Sequence, residues 1–259
     1  MLSYSTHISD PDLPWVTFVH GAGGSSTIWY KQLRAFRKHF NLLLVDLRGH
    51  GRSKTPFYEK LKTYNFSTIG DEVLEVLDYI NIKRTHWIGI SLGTIIIRDI
   101  TDRYPERTIS MIMGGAVMKL NKRGQVLMRL GATLKSVLPY MLLYRFFAWI
   151  IMPKKTHQEA RNLFINEARK LYQREFKRWF TLVAEVNPLL RYFRFNDSHV
   201  PTLYIMGSED HMFLPSIRKI VASHQSALLH VIENCGHVVN VEQSDHFNEA
   251  AIKFLKQHS

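Results

Sequence analysis

Residues 85–104, THWIGISLGTIIIRDITDRY, decide the fold. Residues 85–90 are a β-branched and aromatic run typical of a buried strand, and residues 92–104 have the apolar pattern of a helix. Ser91 lies at the turn between them, in the pattern G-x-S-x-G, and the flanking glycines allow the chain to double back sharply and expose the hydroxyl. The N-terminus of the following helix favours negative charge at the same point. Ser91 is therefore a candidate nucleophile, and the alternative is a strand-turn-helix corner with an incidental serine.

The same alternation of strands and helices continues on both sides of this unit. Strands alternating with amphipathic helices indicate βαβ units around a mostly parallel sheet, so the predicted fold class is α/β, a mostly parallel central sheet flanked by helices. The other predicted strands are 15–20, 42–46, 109–114, 202–207 and 228–233, and the other predicted helices are 27–37, 71–81, 216–224 and 243–257.

One long stretch interrupts the alternation. Residues 117–195 have only helical patterns, rich in Leu, Met, aromatic and basic residues. A stretch of 79 residues is too long for a simple loop, so an all-helical insertion is predicted there. The predicted domains are a core of residues 1–116 and 196–259 and an inserted helical domain of residues 117–195.

The composition is that of a globular protein, with 259 residues, 46% hydrophobic and 22% charged, which excludes a disordered or low-complexity chain. The single cysteine, Cys235, excludes an intramolecular disulfide framework and is expected to be a small buried apolar residue. Residues 1–12 lack the pattern of a secretory signal peptide, and the longest apolar stretch, 137–152, is too short to span a membrane. The expected compartment is the cytoplasm.

The net charge of +12 is unusual and is unevenly distributed. Residues 117–195 contain 16 of the 34 Lys and Arg but only 4 of the 22 Asp and Glu, so they hold the whole excess. No recognisable nucleic-acid-binding module accompanies this charge, and no nucleic-acid partner is expected. The favoured interpretation is that the basic residues keep an apolar insertion soluble. The alternatives are that they steer acidic substrates or dock the insertion on an anionic surface.

A nucleophilic serine needs a base and an acid that orients the base. Two later loops supply candidates where predicted strands end, the edge at which open α/β sheets place their sites. His237 follows the strand at 228–233, and Asp210 follows the strand at 202–207. Glu209 is the rival acid, although Asp210 has the better spacing from its strand. Ser91, Asp210 and His237 are thus the predicted catalytic residues.

The stretch His20–Gly24, HGAGG, ends the first clear strand. A Gly-rich loop there can direct a backbone N–H into the site, so the predicted oxyanion hole consists of the amides of Ala22 and Leu92. His20 is expected to hold the base of the loop by hydrogen bonds. A phosphate site is the alternative use of such a loop, but the Lys-Ser/Thr of a Walker A loop and the spacing G-x-G-x-x-G are both missing.

Five stretches together resemble the motifs of an α/β-hydrolase of the serine-esterase type over nearly the whole chain. The resemblance implies an α/β-hydrolase fold and a helical cap over the site, formed by the insertion at 117–195. Because only about 14 residues precede the first clear strand, the family's usual pair of leading strands is expected to be reduced to one, around residues 2–8. The resemblance also implies that no cofactor takes part. No metal is expected either, because the sequence has no H-E-x-x-H and no close Cys/His cluster. A serine at position 91, where some members of the fold have aspartate, disfavours epoxide hydrolysis and dehalogenation. The five stretches are HGAGG (20–24), DLRGHGRS (46–53), GISLG (89–93), GSEDHMFLP (207–215) and NCGH (234–237).

Within the insertion, residues 140–152, YMLLYRFFAWIIM, are apolar nearly all round if helical. Met141, Phe146 and Trp149 are the candidate substrate-binding residues, since flexible Met and flat aromatic side chains suit an apolar pocket wall. Two other interpretations remain open. The helix either only packs the cap, or it dips into a membrane surface with basic residues against anionic headgroups.

These predictions combine into a serine hydrolase, a carboxylesterase that acts on small to medium apolar esters through an acyl-enzyme. The expected partner is thus a small-molecule ester or a related acyl compound. Thioesters, lactones and carbon–carbon bonds next to a ketone use the same machinery, so the bond type remains open. The alternative from another class is a ligand receptor or signalling protein that keeps the three catalytic residues but turns over slowly.

Overall fold

The computed structural model of this protein describes residues 1–54, 64–119, 125, 139–184 and 186–259. Its centre is a seven-stranded sheet with the order β1-β3-β2-β4-β5-β6-β7. β1 pairs antiparallel with β3, and every other neighbouring pair in the sheet is parallel. The strands are β1 Tyr4–His7, β2 Trp15–Val19, β3 Asn41–Val45, β4 Thr85–Ile90, β5 Thr108–Gly114, β6 Thr202–Gly207 and β7 Ala227–Ile232.

The order of the strands reverses at β2, which lies between β3 and β4. In open α/β sheets such a switch point opens a crevice beyond the carboxyl ends of the strands. The loops that follow β2 and β4 therefore meet at one edge, which brings the Gly-rich stretch at 20–24 beside Ser91. The predicted fold class and the predicted leading strand are both confirmed.

Helices cover both faces of the sheet. The predicted helices of the core are confirmed, with shifted ends. The chain at 27–37 begins as a 3₁₀ turn, Ser26–Trp29, before it becomes α-helical. These helices are α1 Tyr30–Phe36, α2 Phe66–Tyr79, α3 Leu92–Arg103, α8 Leu214–Val221, α9 Val239–Glu242 and α10 Ser244–Lys256.

The start of α2 differs from the prediction by five residues. Its N-cap is Asn65, whose side-chain oxygen accepts a hydrogen bond from the amide of Thr68 at 2.8 Å and from its hydroxyl at 2.9 Å. Asn is among the residues that best satisfy the free amides at a helix start. Because Asn65 caps it, α2 begins at Phe66, whereas the sequence pattern predicts a start at Asp71.

Between β5 and β6 the described residues fold as four helices, which we call the insert. No strand lies in the part of 117–195 that the structure describes. The proposed division of the chain into a core and a cap domain stays a prediction. The helices of the insert are α4 Tyr140–Ile151, α5 Gln158–Arg169, α6 Gln173–Ala184 and α7 Asn187–Phe195.

Two apolar layers enclose the sheet. On one side, Trp87 and Met113 of the sheet pack with Val73 of α2 and Ile96 of α3. On the other side, Phe18 contacts Trp29 and Phe36, and the same layer includes residues of α10. Burial of these side chains fixes the sheet that carries the loops of the candidate site. Among the described residues, no helix has the length and apolar character needed to cross a bilayer.

Candidate active site

Ser91 occupies a strained turn between β4 and α3. Its φ is 52° and its ψ is −121°, in the region that L-residues rarely adopt. The flanking glycines are required by space. A Cβ at Gly93 would lie 2.2 Å from the carbonyl oxygen of Val19, and one at Gly89 would lie 2.6 Å from Cδ1 of Ile97. The turn thus packs closely against β2, and Ser91 lies at the carboxyl end of β4, as the sequence pattern predicts.

The structure brings Ser91, His237 and Asp210 together from three separate loops. Nε2 of His237 lies 3.0 Å from Oγ of Ser91, and Nδ1 of His237 lies 2.8 Å from Oδ2 of Asp210. His237 and Asp210 are 4% and 2% exposed, so their contact is shielded from water. An imidazole that donates from Nδ1 to a carboxylate leaves Nε2 free to accept the proton of the serine hydroxyl.

Asp210, and not its rival Glu209, faces the histidine. The second oxygen of Asp210, Oδ1, accepts a hydrogen bond from the amide of Phe213 at 3.2 Å, which fixes the carboxylate. The carboxylate of Glu209 turns away to the insert, where it lies 2.6 Å from Nζ of Lys154 and 2.7 Å from Nε2 of His157. The Lys154 hydrogen bond is the main reason that the pKa of Glu209 is lowered.

Two further residues hold the backbone of the histidine loop. The carboxylate of Glu242 accepts hydrogen bonds from the amides of Gly236 at 2.7 Å and Val238 at 3.1 Å, on both sides of His237. A Cβ at Gly115, whose φ is 48°, would lie 2.2 Å from the carbonyl oxygen of His237. Sequence reasoning missed both residues. A Gly-Gly pair at the carboxyl end of β5 was the available signal for Gly115.

The Gly-rich loop after β2 is oriented by His20. Nδ1 of His20 lies 2.7 Å from the carbonyl oxygen of Gly21, and its Nε2 accepts a hydrogen bond from the amide of Leu47 at 3.0 Å. The amide of Gly24 also donates to that Gly21 carbonyl, at 3.1 Å. In a trans peptide the N–H points opposite to the carbonyl. Because these hydrogen bonds fix the direction of the Gly21 carbonyl, the amide N–H of Ala22 points in the opposite direction.

The next peptide is anchored at both ends. The amide of Gly23 donates to Nε2 of His50 at 2.8 Å, and the carbonyl of Ala22 accepts a hydrogen bond from the hydroxyl of Tyr144 in α4 at 3.1 Å. The amides of Gly23 and Gly24 thus have protein acceptors. The amide of Ala22 has none among the described residues, which suits it to receive a ligand. His50 and Tyr144 were not identified from the sequence.

Burial lowers the pKa of His20 and holds the pKa of His50 well below its ordinary value. Both rings are therefore neutral near neutral pH. Since Nε2 of each ring accepts a backbone N–H, Nδ1 of each carries the proton. This tautomer lets each ring donate to a backbone carbonyl on its other side, so each histidine ties two backbone groups of the loops together.

A cavity of about 160 Å³ opens beside Ser91 and His237. Its described lining includes no Lys, Arg, Asp or Glu, and most of the side chains are aliphatic or aromatic. Ala22 and Leu92, whose amides are the candidate donors, lie at its base. The insert supplies most of the remaining wall: Tyr144, Phe147, Ile150, Ile151, Phe164, Leu171, Phe176, Trp179, Phe180, Val183 and Val186.

The cavity wall corrects the substrate-binding residues named from the sequence. Met141, Phe146 and Trp149 do not line the cavity, and Phe146 and Trp149 are 54% and 61% exposed. The opposite face of α4, with Tyr144 and Phe147, borders the cavity instead. A helix that is apolar all round gives no periodic signal to distinguish its inner face from its outer face.

Other residues that the sequence singled out have structural contacts. Cys235 is fully buried, and burial raises the pKa of its thiol, so it is an un-ionised apolar residue. Arg48 pairs with both carboxylate oxygens of Glu72, and the hydroxyl of Ser53 donates to the carbonyl of Asp46 at 2.6 Å. No group of three metal-ligating side chains lies together within the described ranges.

Comparison with known proteins agrees with this architecture. A family model described as "Alpha/beta hydrolase family" matches residues 18–250. The putative carbamate hydrolase RutD of Acinetobacter baylyi is 24% identical, over 96% of this chain and 95% of its own. The 3-oxoadipate enol-lactonase 2 of the same species is also 24% identical, over 99% and 93%. A solved hydrolase from Pseudomonas aeruginosa superposes with a TM-score of 0.83 at 23% identity, covering 98% of this chain and 94% of that one.

Proposed function

Because the chain belongs to the alpha/beta hydrolase family, we propose that it is a serine hydrolase of carboxylic esters with Ser91 as nucleophile. The observation that carries the proposal is the continuous hydrogen-bonded series from Ser91 through His237 to Asp210, at the base of an apolar cavity. Such a series activates a hydroxyl that is otherwise a weak nucleophile.

In the proposed mechanism, Nε2 of His237 removes the proton from Ser91 as Oγ attacks the acyl carbon. Asp210 holds the imidazole with Nδ1 protonated and stabilises the imidazolium that forms. The amides of Ala22 and Leu92 donate to the oxyanion, aided by the N-terminus of α3. His237 then protonates the leaving alcohol, and a water molecule, deprotonated by His237, releases the acyl group from Ser91.

The cavity favours an apolar acyl group. A lining of aliphatic and aromatic side chains binds hydrocarbon well, and its described residues include no Lys or Arg to attract a charged acyl chain. A cavity of about 160 Å³ is small, which fits short to medium acyl groups. The proposed substrates are therefore small to medium, rather apolar esters.

A lactone is the second candidate substrate class. It is favoured by the similarity to an enol-lactonase, since a lactone is a cyclic ester attacked in the same way. Ring opening differs in one respect, because the alcohol stays attached to the acyl-enzyme until water releases the product. The relative named as a carbamate hydrolase likewise indicates attack on a carbonyl that carries a heteroatom.

A series of p-nitrophenyl esters with increasing acyl length, measured beside a series of lactones with increasing alkyl-chain length, tests the proposal. Ser91→Ala serves as the blank. We expect kcat/KM to rise with acyl length, reach a maximum and then fall as the chain exceeds the cavity, and Ser91→Ala to lose activity by at least about 10³-fold.

Two outcomes would contradict the proposal. If the folded Ser91→Ala variant kept wild-type rates, Ser91 would not be the nucleophile. If the wild type gave a stoichiometric burst followed by almost no turnover on every ester and lactone, a slow ligand receptor would replace the hydrolase.

A further inference from the structure

The outer face of α4 carries large apolar side chains into the solvent. Leu142, Phe146 and Trp149 are 54%, 54% and 61% exposed, at helical spacings of four and three residues. Arg145, also exposed, lies on the same face between them. We call these four residues the outer stripe. The spacing places all four on one side of the helix, within about one-third of its circumference.

Among the described residues, the outer stripe is the only helix face with three exposed large apolar side chains, whereas α7 exposes two, Tyr192 and Phe195. We call the described residues outside the insert the body. Its exposed large apolar residues lie on separate elements, such as Ile8, Tyr79 and Leu228. Single exposed apolar residues are common and need no explanation, whereas neighbouring ones indicate a contact surface. Three such side chains on one face of one helix therefore indicate a surface that binds an apolar partner.

We propose that the outer stripe docks the protein on an anionic lipid bilayer, with Leu142, Phe146 and Trp149 inserted at the level of the headgroups. Tryptophan suits that position, because its ring is apolar and its N–H can still find a polar partner. Arg145 can extend its charged end to lipid phosphates while its stem stays among apolar groups.

Charge favours an anionic surface. The sequence segment 117–195, which includes α4, holds the whole net charge of +12, while the remainder of the chain is neutral. A basic segment next to exposed apolar side chains combines the two terms that hold proteins on anionic bilayers, apolar insertion and electrostatic attraction. The uneven charge thereby orients the insert, and not the neutral body, towards the lipid.

The size of the outer stripe argues against a stable dimer. Three large side chains at this exposure offer about 350 Å² of apolar surface, whereas a stable protein interface needs roughly 800 Å² from each partner. A bilayer accepts a small patch, because it surrounds each inserted side chain. The inner face of α4 borders the catalytic cavity, so docking would also place that cavity close to apolar compounds dissolved in lipid.

Vesicle binding without any substrate tests this proposal independently of catalysis. The four other tryptophans, Trp15, Trp29, Trp87 and Trp179, are buried or half-buried, so Trp149 reports contact with lipid. We expect vesicles of mixed phosphatidylcholine and phosphatidylglycerol to shift the tryptophan emission to shorter wavelength. Pure phosphatidylcholine should bind less, and high salt should weaken binding to the mixed vesicles. Trp149→Phe should lose the shift yet still sediment with the vesicles.

Variants test whether vesicle binding depends on the outer stripe or on exposed apolar side chains in general. Leu142→Ser, Phe146→Ser and Trp149→Ser together should weaken sedimentation with mixed vesicles by at least about tenfold. The matched control, Ile8→Ser, Tyr79→Ser and Leu228→Ser on the body, should bind like wild type. Circular dichroism and thermal unfolding check that both fold. If the triple variant fails to fold, Phe146→Ser alone should still weaken binding severalfold.

The proposal is overturned if the wild type does not bind mixed vesicles, or if the folded outer-stripe variant binds them as well as wild type. It is also overturned if light scattering shows a dimer that the outer-stripe variant abolishes, since the partner would then be a second copy. Arg145→Glu should reduce binding to mixed vesicles more than binding to phosphatidylcholine. An equal reduction of binding to the two kinds of vesicle would contradict the proposed attraction between Arg145 and the anionic lipids.

Discussion

Two neighbouring acidic residues illustrate how position decides chemistry at the scale of single side chains. Asp210 and Glu209 follow the same strand, but only the Asp210 carboxylate contacts His237, while Glu209 binds Lys154 and His157. The spacing after β6 favours Asp210 in the sequence, and the described contacts give the physical reason. Glu209 lies in the turn that follows β6, where the amide of Asp210 donates to the carbonyl of Gly207 at 3.1 Å, so the two neighbouring carboxylates reach different partners.

This difference predicts opposite results for two similar substitutions. Asp210→Asn removes the charge that stabilises the His237 imidazolium, so kcat on p-nitrophenyl esters should fall by about 10³- to 10⁴-fold. Glu209→Gln should leave kcat within about threefold of wild type, because the described contacts of its carboxylate are with Lys154 and His157 and not with His237. Steady-state kinetics with both folded variants checks this. A larger loss in Glu209→Gln than in Asp210→Asn would assign the acid to Glu209.

A second prediction concerns the turn that holds Ser91. A methyl group at Gly93 would lie 2.2 Å from the Val19 carbonyl oxygen and 2.8 Å from that of His20, and neither backbone can move without disturbing β2. Gly93→Ala should therefore lower the free energy of unfolding by about 2–3 kcal/mol. Gly70→Ala in α2 is the control, since its new methyl meets side chains of Arg103 and Ile100 and improves helix propensity. Urea unfolding that ranks Gly70→Ala as the more damaging change would contradict the steric argument.

At the scale of elements, one histidine joins the insert to two loops of the candidate site. His157, just before α5, is fully buried, lies 2.7 Å from Oε2 of Glu209 and 3.8 Å from Oε2 of Glu242. Glu209 precedes Asp210, and Glu242 holds the amides on either side of His237. His157 is therefore a positioning residue that links the acid loop, the histidine loop and α5.

Loss of this link should cost stability and loosen the insert. His157→Leu removes one hydrogen-bond partner of the Glu209 carboxylate and the imidazole beside Glu242, so the free energy of unfolding should fall by about 1–3 kcal/mol. Hydrogen exchange in α5 should rise at the same time. Lys154→Met is the matched control. It also removes a contact to Glu209, but Lys154 is half exposed, so its loss should cost less than about 1 kcal/mol. If the two variants lost equal stability and α5 exchanged as in wild type, His157 would not be the link.

The elements also show which features the sequence could predict. The buried strands are predicted within one residue at either end, because runs such as LLLV and TLYIMG alternate with turn residues. The start of α2 was missed because an Asn cap has no apolar periodicity. The inner face of α4 was missed because the helix is apolar on every side. The candidate triad residues were found in the loops after strands, whereas His50, Tyr144 and Glu242 act through contacts that no local pattern encodes.

The whole molecule combines a neutral body with a basic insert, and the buried histidines of the body make it sensitive to acid. His86 in β4 is fully buried, with Nδ1 2.8 Å from Oγ of Ser110 and Nε2 3.1 Å from Oγ of Ser259. Burial, with smaller contributions from His258 and Arg84, lowers its pKa to about 4. His20 and His50 are also held neutral by burial. The three rings lie in β4 and in the loops that follow β2 and β3, so their protonation in acid destabilises the fold.

The direction of the pH effect follows from proton binding. Below its ordinary pKa of 6.5, His86 takes up a proton in the unfolded chain but stays neutral in the folded protein until the pH approaches about 4. Its contribution to stability is therefore fully present above about pH 6.5 and lost as the pH falls through this window. Between about pH 7 and pH 5, His86 alone should account for a loss of about 2 kcal/mol.

Urea unfolding of wild type and His86→Gln at both pH values isolates this contribution, because all other titrating groups are shared. Gln retains hydrogen-bonding capacity towards Ser110 and Ser259 but does not titrate. The wild type should therefore lose about 2 kcal/mol more than His86→Gln on acidification. The variant is expected to be the less stable protein near pH 7, since its amide fits the ring cavity poorly, and the two stabilities should converge near pH 5. Parallel losses in both proteins would mean that folding does not lower the pKa of His86.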